Sequence, residues 1–143
     1  MAIDPTSLQE VLALAQTCEG LARAALQVAQ DQLRTKQISQ AEFDQAFGDY
    51  GVAMQKARDM YYQASHNLAA TVAQSADCKT LAAQTKALGE SLAHVQKIDH
   101  VLAISFGVVT LVSSIATAVG APTKATLEGA ASAAEALKSA IGI

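Results

Sequence analysis

The sequence predicts an all-α fold, an elongated antiparallel helical bundle of three amphipathic helices followed by a C-terminal hydrophobic helical hairpin. Three observations carry that prediction. Between Leu8 and Leu102 apolar residues recur at three- and four-residue steps, the spacing of one buried helix face. Ala and Leu dominate the apolar content, and the two prolines, Pro5 and Pro122, stand near element boundaries where they interrupt nothing. The stretch Val101–Ala121 carries no charge, and its polar members are only Ser and Thr. At 1.5 Å per residue, about 21 residues give roughly 31 Å of helix, close to the hydrocarbon thickness of a bilayer.

The first helix is predicted to start near Pro5–Ser7, with Ser7 or Thr6 as N-cap and Glu10 completing a capping box with Ser7. Its buried stripe reads Leu8, Val11, Leu12, Ala15, Cys18, Ala22, Ala25, Leu26, Ala29 and Leu33. Gln16, Arg23, Gln27, Gln30 and Arg34 fall on the opposite face, and Gly20 is a weak point within the helix.

Thr35–Ser39 reads as a turn. Ser39 and Glu42 form a second capping box, with Ile38 placed to staple onto Phe43. The second helix is predicted to run to about Gln74 along the stripe Phe43, Phe47, Tyr50, Met54, Ala57, Tyr61, Ala64, Leu68 and Val72. Gly48 and Gly51 are candidates for a close helix crossing or a bend. The third helix, N-capped by Asp77, carries Leu81, Ala82, Thr85, Leu88, Leu92, Val95, Ile98 and Leu102 on a near-heptad seam, with Lys86 and Glu90 off it. These three helices make up residues 1–100, and residues 101–143 form the hairpin, packed as part of the same domain.

After His100 the periodicity vanishes and every face turns apolar, the pattern of a helix either fully buried or in a membrane. No breaker precedes Gly107, so the third helix is predicted to continue into the apolar stretch for about 44 residues, with Gly107 as hinge. Gly120 and Pro122 mark the hairpin tip. In the last helix Leu127, Ala130, Ala134, Leu137 and Ile141 share one side. Ala125, Gly129 and Ala133 form a small-residue ladder predicted to pack closely on Ala116 and Gly120, or on Ser113 and Thr117.

Composition narrows the function. The chain has 143 residues, 51% hydrophobic and 16% charged, with a net charge of −3. No basic patch is present for a phosphate backbone, which argues against nucleic acid, and no polybasic run attracts anionic lipid. Cys18 and Cys78 show no metal spacing; they form a disulfide if the fold joins them and otherwise remain thiols. Glu90 and His94 stand one turn apart without a second pair, the pattern of a surface pair rather than a metal site. His100, at the border of the apolar stretch, reads as a boundary residue, with a pH switch as its functional alternative. No nucleophile or phosphate-loop motif occurs, so the expectation is a non-enzymatic protein with no metal, no cofactor and no small-molecule substrate.

The expected partner is a lipid bilayer or further copies of the chain. Val101, Leu102, Ile104, Phe106, Val108, Val109, Leu111, Val112, Ile115 and Val119 form the membrane or oligomer segment. The predicted function is membrane activity, in which the hairpin of about residues 101–141 inserts into or associates with a bilayer, an oligomeric pore being one form of it. The alternative is a soluble interaction or structural protein in which residues 101–121 are a buried core or homo-oligomer helix. The N-terminus lacks the pattern of a secretory signal, so synthesis in the cytoplasm is expected, followed by membrane association or non-classical export. Under the alternative the protein stays cytoplasmic.

Overall fold

The structure, a computed structural model, describes residues 5–66, 75–94, 101–120 and 124–142, with side chains at 12–62, 80–92, 101–119 and 125–142. Among these residues all regular structure is α-helical: α1 (Pro5–Arg34), α2 (Gln40–His66), α3 (Ser75–His94), α4 (Val101–Gly120) and α5 (Lys124–Ile141). Helix α1 begins with Pro5, whose missing N–H leaves nothing unpaired in a first turn. That start places Ser7 inside the helix rather than at its cap, and the pairing with Glu10 lies outside the described side chains. Likewise α3 starts at Ser75, so Asp77 sits in its first turn instead of capping it. The predicted continuation of α2 through Leu68 and Val72, the seam positions Val95 and Ile98, and His100 also lie outside the described residues.

The α1–α2 connection is built as the sequence predicts at one end and against propensity at the other. Ser39 Oγ accepts from the Glu42 N–H at 3.1 Å, and the Glu42 carboxylate accepts from the Ser39 N–H at 3.0 Å, a complete capping box. Helix α1 ends in a Schellman motif. The Gln37 N–H donates to the Gln32 carbonyl at 2.8 Å and the Lys36 N–H to the Leu33 carbonyl at 3.0 Å. The motif requires a left-handed residue, and here it is Lys36, at φ 62°, not a glycine. Helix α5 ends on Gly142 at φ 89°, the residue type that adopts this geometry without strain.

Buried apolar side chains from all five helices join in one cluster. Helix α1 packs most broadly on α2 and α3, α2 on α4, and α4 on α5, with narrower seams between α1 and α4 and between α3 and α5. The hairpin is therefore not appended to a finished three-helix core. The reason lies in α1, whose buried face is wider than the predicted stripe: Leu14 and Leu21 are buried beside it, and Val28 packs on the core as well. Such a face has room for three neighbours, and α4 is one of them.

Helices α3 and α4 do not form one rod. Leu88 of α3 lines a cavity with Ala134 and Lys138 of α5, while Gly107 of α4 faces Leu137 in the same turn of α5. Along one straight helix, positions 88 and 107 would stand about 28 Å apart. Both helices instead reach α5 at one level, which one straight rod does not allow.

Most stripe positions are buried or half-buried as predicted. Phe47 is the exception at 53% exposed, stacked in a tilted aromatic row with Phe43 and Tyr50 rather than seated in the core. Ala46, Ala53 and Met60 take the buried positions of α2. Gly48 and Gly51 are exposed, and a Cβ at either would meet nothing within 4 Å, so neither marks a close crossing.

Two substitutions at the turn should move stability in opposite directions. Lys36→Gly should raise it by about 0.5–1 kcal/mol, the left-handed strain relieved less the extra unfolded-chain entropy. Ser39→Ala should lower it by about 1 kcal/mol through loss of the cap. Urea unfolding followed by circular dichroism reads both.

Candidate functional site

Helix α4 is the candidate site, because its span Val101–Val119 has mean hydropathy 2.1, enough in length and apolarity to cross a membrane. Half of that span is buried inside the bundle. Val101, Ile104, Val108, Leu111, Val112, Ile115, Ala116 and Val119 lie in the core, joined by Ser105 and Ala118. These positions step by three and four, so the helix is not uniform around its circumference. The outward face holds Ala103, Phe106, Thr110 and Thr117, flanked by half-buried Leu102, Val109 and Ser113.

The expectation that periodicity ends at His100 is thus corrected for α4. Its polar phase is written in Ser, Thr and Ala instead of charges, a contrast too shallow to stand out in hydropathy but regular enough to read in burial. The Thr110 hydroxyl donates to the Phe106 carbonyl and the Thr117 hydroxyl to the Ser113 carbonyl, each at 2.9 Å. The two Thr hydroxyls of the outward face thus already have acceptors on their own helix. Phe106, 67% exposed, is the largest apolar group this face shows to solvent.

Gly107 is not a hinge, since α4 passes through it without interruption. A Cβ there would come within 3.0 Å of Leu137 Cδ1 and 3.8 Å of Leu137 Cα. The missing side chain lets α5 settle against α4, and Leu137 is fully buried in the space. The predicted ladder does not make this contact. Ala125 and Gly129 are exposed, nothing lies within 4 Å of a Cβ at Gly129, and only Ala133 of the three is buried. The buried side of α5 is instead Ala130, Ala133, Ala134, Leu137 and Ile141, with Leu127 partly covered. The small-residue register is the regular one in the sequence, but Leu137 wins because burying a large side chain gains more than backbone proximity alone. The surroundings of Gly120, and the tip residue Pro122, lie outside the described residues.

Around α4 the ionisable groups are few and peripheral. Cys18 is a free, buried thiol, and burial, reinforced by the nearby Glu19 charge, pushes its pKa up to about 12. It behaves as a small core residue, not a nucleophile. Glu19 accepts from Arg23 at 3.1 Å and takes a hydrogen bond from the Tyr61 hydroxyl, tying α1 to α2. Burial, then that hydrogen bond, raises the Tyr61 pKa. Asp49 borders a cavity of about 10 Å³ with Ala22, Ser105 and Val108 where α1, α2 and α4 meet, and its pKa is raised by burial. No group of three or more His, Cys, Asp or Glu able to hold a metal occurs among the described residues. Glu90 is exposed on α3, and the side chain of His94 lies outside the described ones. No protein-family model, no curated protein and no solved structure matches the chain.

Gly107→Val should cost about 1–3 kcal/mol, because its Cβ alone already meets Leu137 Cδ1 at 3.0 Å and the larger side chain overpacks a fully buried contact, whereas Gly129→Ala should add about 0.5–1 kcal/mol of helix stability. Denaturant midpoints compare the two directly. In a Cys78→Ser background Cys18 should react with a disulfide reagent at pH 8 only at the rate of unfolding, since the native thiol stays protonated. Because its folded pKa lies above the unfolded one, its stabilising contribution is complete below pH 9 and declines as pH rises toward 12.

Proposed function

We propose that this is a non-enzymatic, membrane-active helical protein whose α4–α5 hairpin, about residues 101–141, associates with or inserts into a bilayer. The outward face of α4 carries the proposal. It has no charge along the helix, and its two Thr hydroxyls are bonded to carbonyls of the same helix. That face can exchange water for lipid without exposing an unpaired charge. Its inward face loses protein neighbours on insertion but gains hydrocarbon, so for apolar atoms the exchange is close to neutral. Helix α5 behaves differently. Glu128, Glu135 and Lys138 are exposed along it, which suits a helix lying at the interface or lining a lumen rather than facing acyl chains.

A second reading has its own observation in support. Helix α4 is half buried against α1, α2 and α5, the seating of a core helix in a soluble interaction or structural protein. Its uncovered face would then serve contact with another protein surface, including a second copy.

Vesicle flotation of the full chain between pH 4 and 8 distinguishes the two. Membrane activity predicts that protein floats with the lipid, and that Phe106→Lys abolishes flotation while changing stability by less than about 0.5 kcal/mol, since the side chain is exposed. Protein that stays wholly in the aqueous fraction across that range overturns the membrane reading. A change of mass on light scattering that Phe106→Lys reverses would then favour the soluble one.

A further inference from the structure

The cavity of about 10 Å³ where α1, α2 and α4 meet has room for about one water molecule and nothing larger. Ser105 of α4 and Asp49 of α2 border it, beside Tyr50. Ser105 is 4% exposed, yet its hydroxyl makes no hydrogen bond among the described residues. Thr85, equally buried, donates to the Leu81 carbonyl at 2.7 Å, and Thr110 and Thr117 of α4 each donate one turn back. Nor is the Ser105 hydroxyl sealed off. Among the described residues, the buried side-chain atom that is both beyond the reach of solvent and unpartnered is the Gln84 oxygen. The unpartnered Ser105 hydroxyl therefore meets accessible space, and the space at its position is this cavity.

Asp49 needs a donor at the same place. Across the cavity stand Ala22, Ala25 and Leu26 of α1 and Val108 of α4, whose side chains carry neither donor nor charge. The carboxylate joins no ion pair among the described residues, and burial raises its pKa with no cation to offset the effect. The donor set does not suit calcium, since one carboxylate and one hydroxyl fall well short of the roughly six to eight oxygens that ion takes. A water fits. It accepts from Ser105 and donates to Asp49, and two bonds lie within the roughly two to four that a buried water makes.

We propose that this cavity is a hydration site, in which one water held by Ser105 and Asp49 ties α4 to α2. Among the described residues no side chain of α4 hydrogen-bonds directly to another helix; Thr110 and Thr117 bond within α4. The water is thus the polar link in a seat that is otherwise apolar. Apolar contact is non-directional, whereas a hydrogen-bonded water prescribes which groups face each other. A helix that leaves for a bilayer gives up this link, and a permanent core helix keeps it. The proposal therefore does not rest on the membrane reading.

A high-resolution crystal structure of the full chain tests the site itself. An ordered water should lie within about 3.2 Å of both Ser105 Oγ and an Asp49 carboxylate oxygen. A dry cavity, a direct Ser105–Asp49 hydrogen bond, or a Ser105 hydroxyl turned back to the Val101 carbonyl each overturns the proposal. A double-mutant cycle in urea tests the tie. Ser105→Ala should lower the folding equilibrium constant at least about three-fold less when Asp49→Ala is already in place than in the native chain. Ser113→Ala, a half-buried serine of the same helix, should have the same effect in both backgrounds. Independent effects of Ser105→Ala and Asp49→Ala, or equal coupling of Ser113→Ala to Asp49→Ala, would show that no water joins the two groups.

Discussion

The seating of α4 between α1, α2 and α5 is the contact on which the remaining packing depends. Its side chains at Ile104, Val108, Leu111, Val112 and Ile115 are essentially fully buried. At about 1.5–3 kcal/mol each, their burial supplies on the order of 10 kcal/mol gross, as large as the net stability of an ordinary domain. Among the described residues no other helix concentrates as much branched apolar volume on one face. The wide buried face of α1 and the small side chains Ala46 and Ala53 on α2 make sense as the surfaces that receive it. Gly107 serves the same end from the fourth side by admitting α5.

This arrangement explains how a charge-free, membrane-length helix coexists with water-tolerant neighbours. Half of it is covered by protein, and the other half is thinned with Ala and Thr whose hydroxyls turn back to the backbone. Such a face is tolerable in water. The price is an outward Phe106, 67% exposed.

Between α3 and α5 the contact is narrow, the core opens into a cavity, and Gln84 leaves a buried oxygen unpartnered. Dense packing around α4 and loose packing here share a cause. Helix α5 commits its large Leu137 to α4 at Gly107; toward α3 it turns Ala134, Glu135 and Lys138.

Local chemistry was legible in the chain itself. The helical class, the Ser39–Glu42 capping box, the polar face of α1 and the row Ala130, Ala134, Leu137, Ile141 all depend on residues close in sequence, where spacing determines which side chains meet. Four things needed the tertiary structure. Whether α3 and α4 are one rod was decided by α5 touching both at one level. Which residue of the hairpin makes the close approach was decided by Leu137 filling the space at Gly107, not by the regular ladder of Ala125 and Gly129. Phe47 faces solvent because α1 and α4 cover α2 from the side of Ala46 and Ala53. And the face of α4 left outside was decided by where its neighbours stand, since Ser and Thr differ too little from Ala in hydropathy to announce it. Each of these turns on distances between segments far apart in the chain, which periodicity within one helix cannot encode.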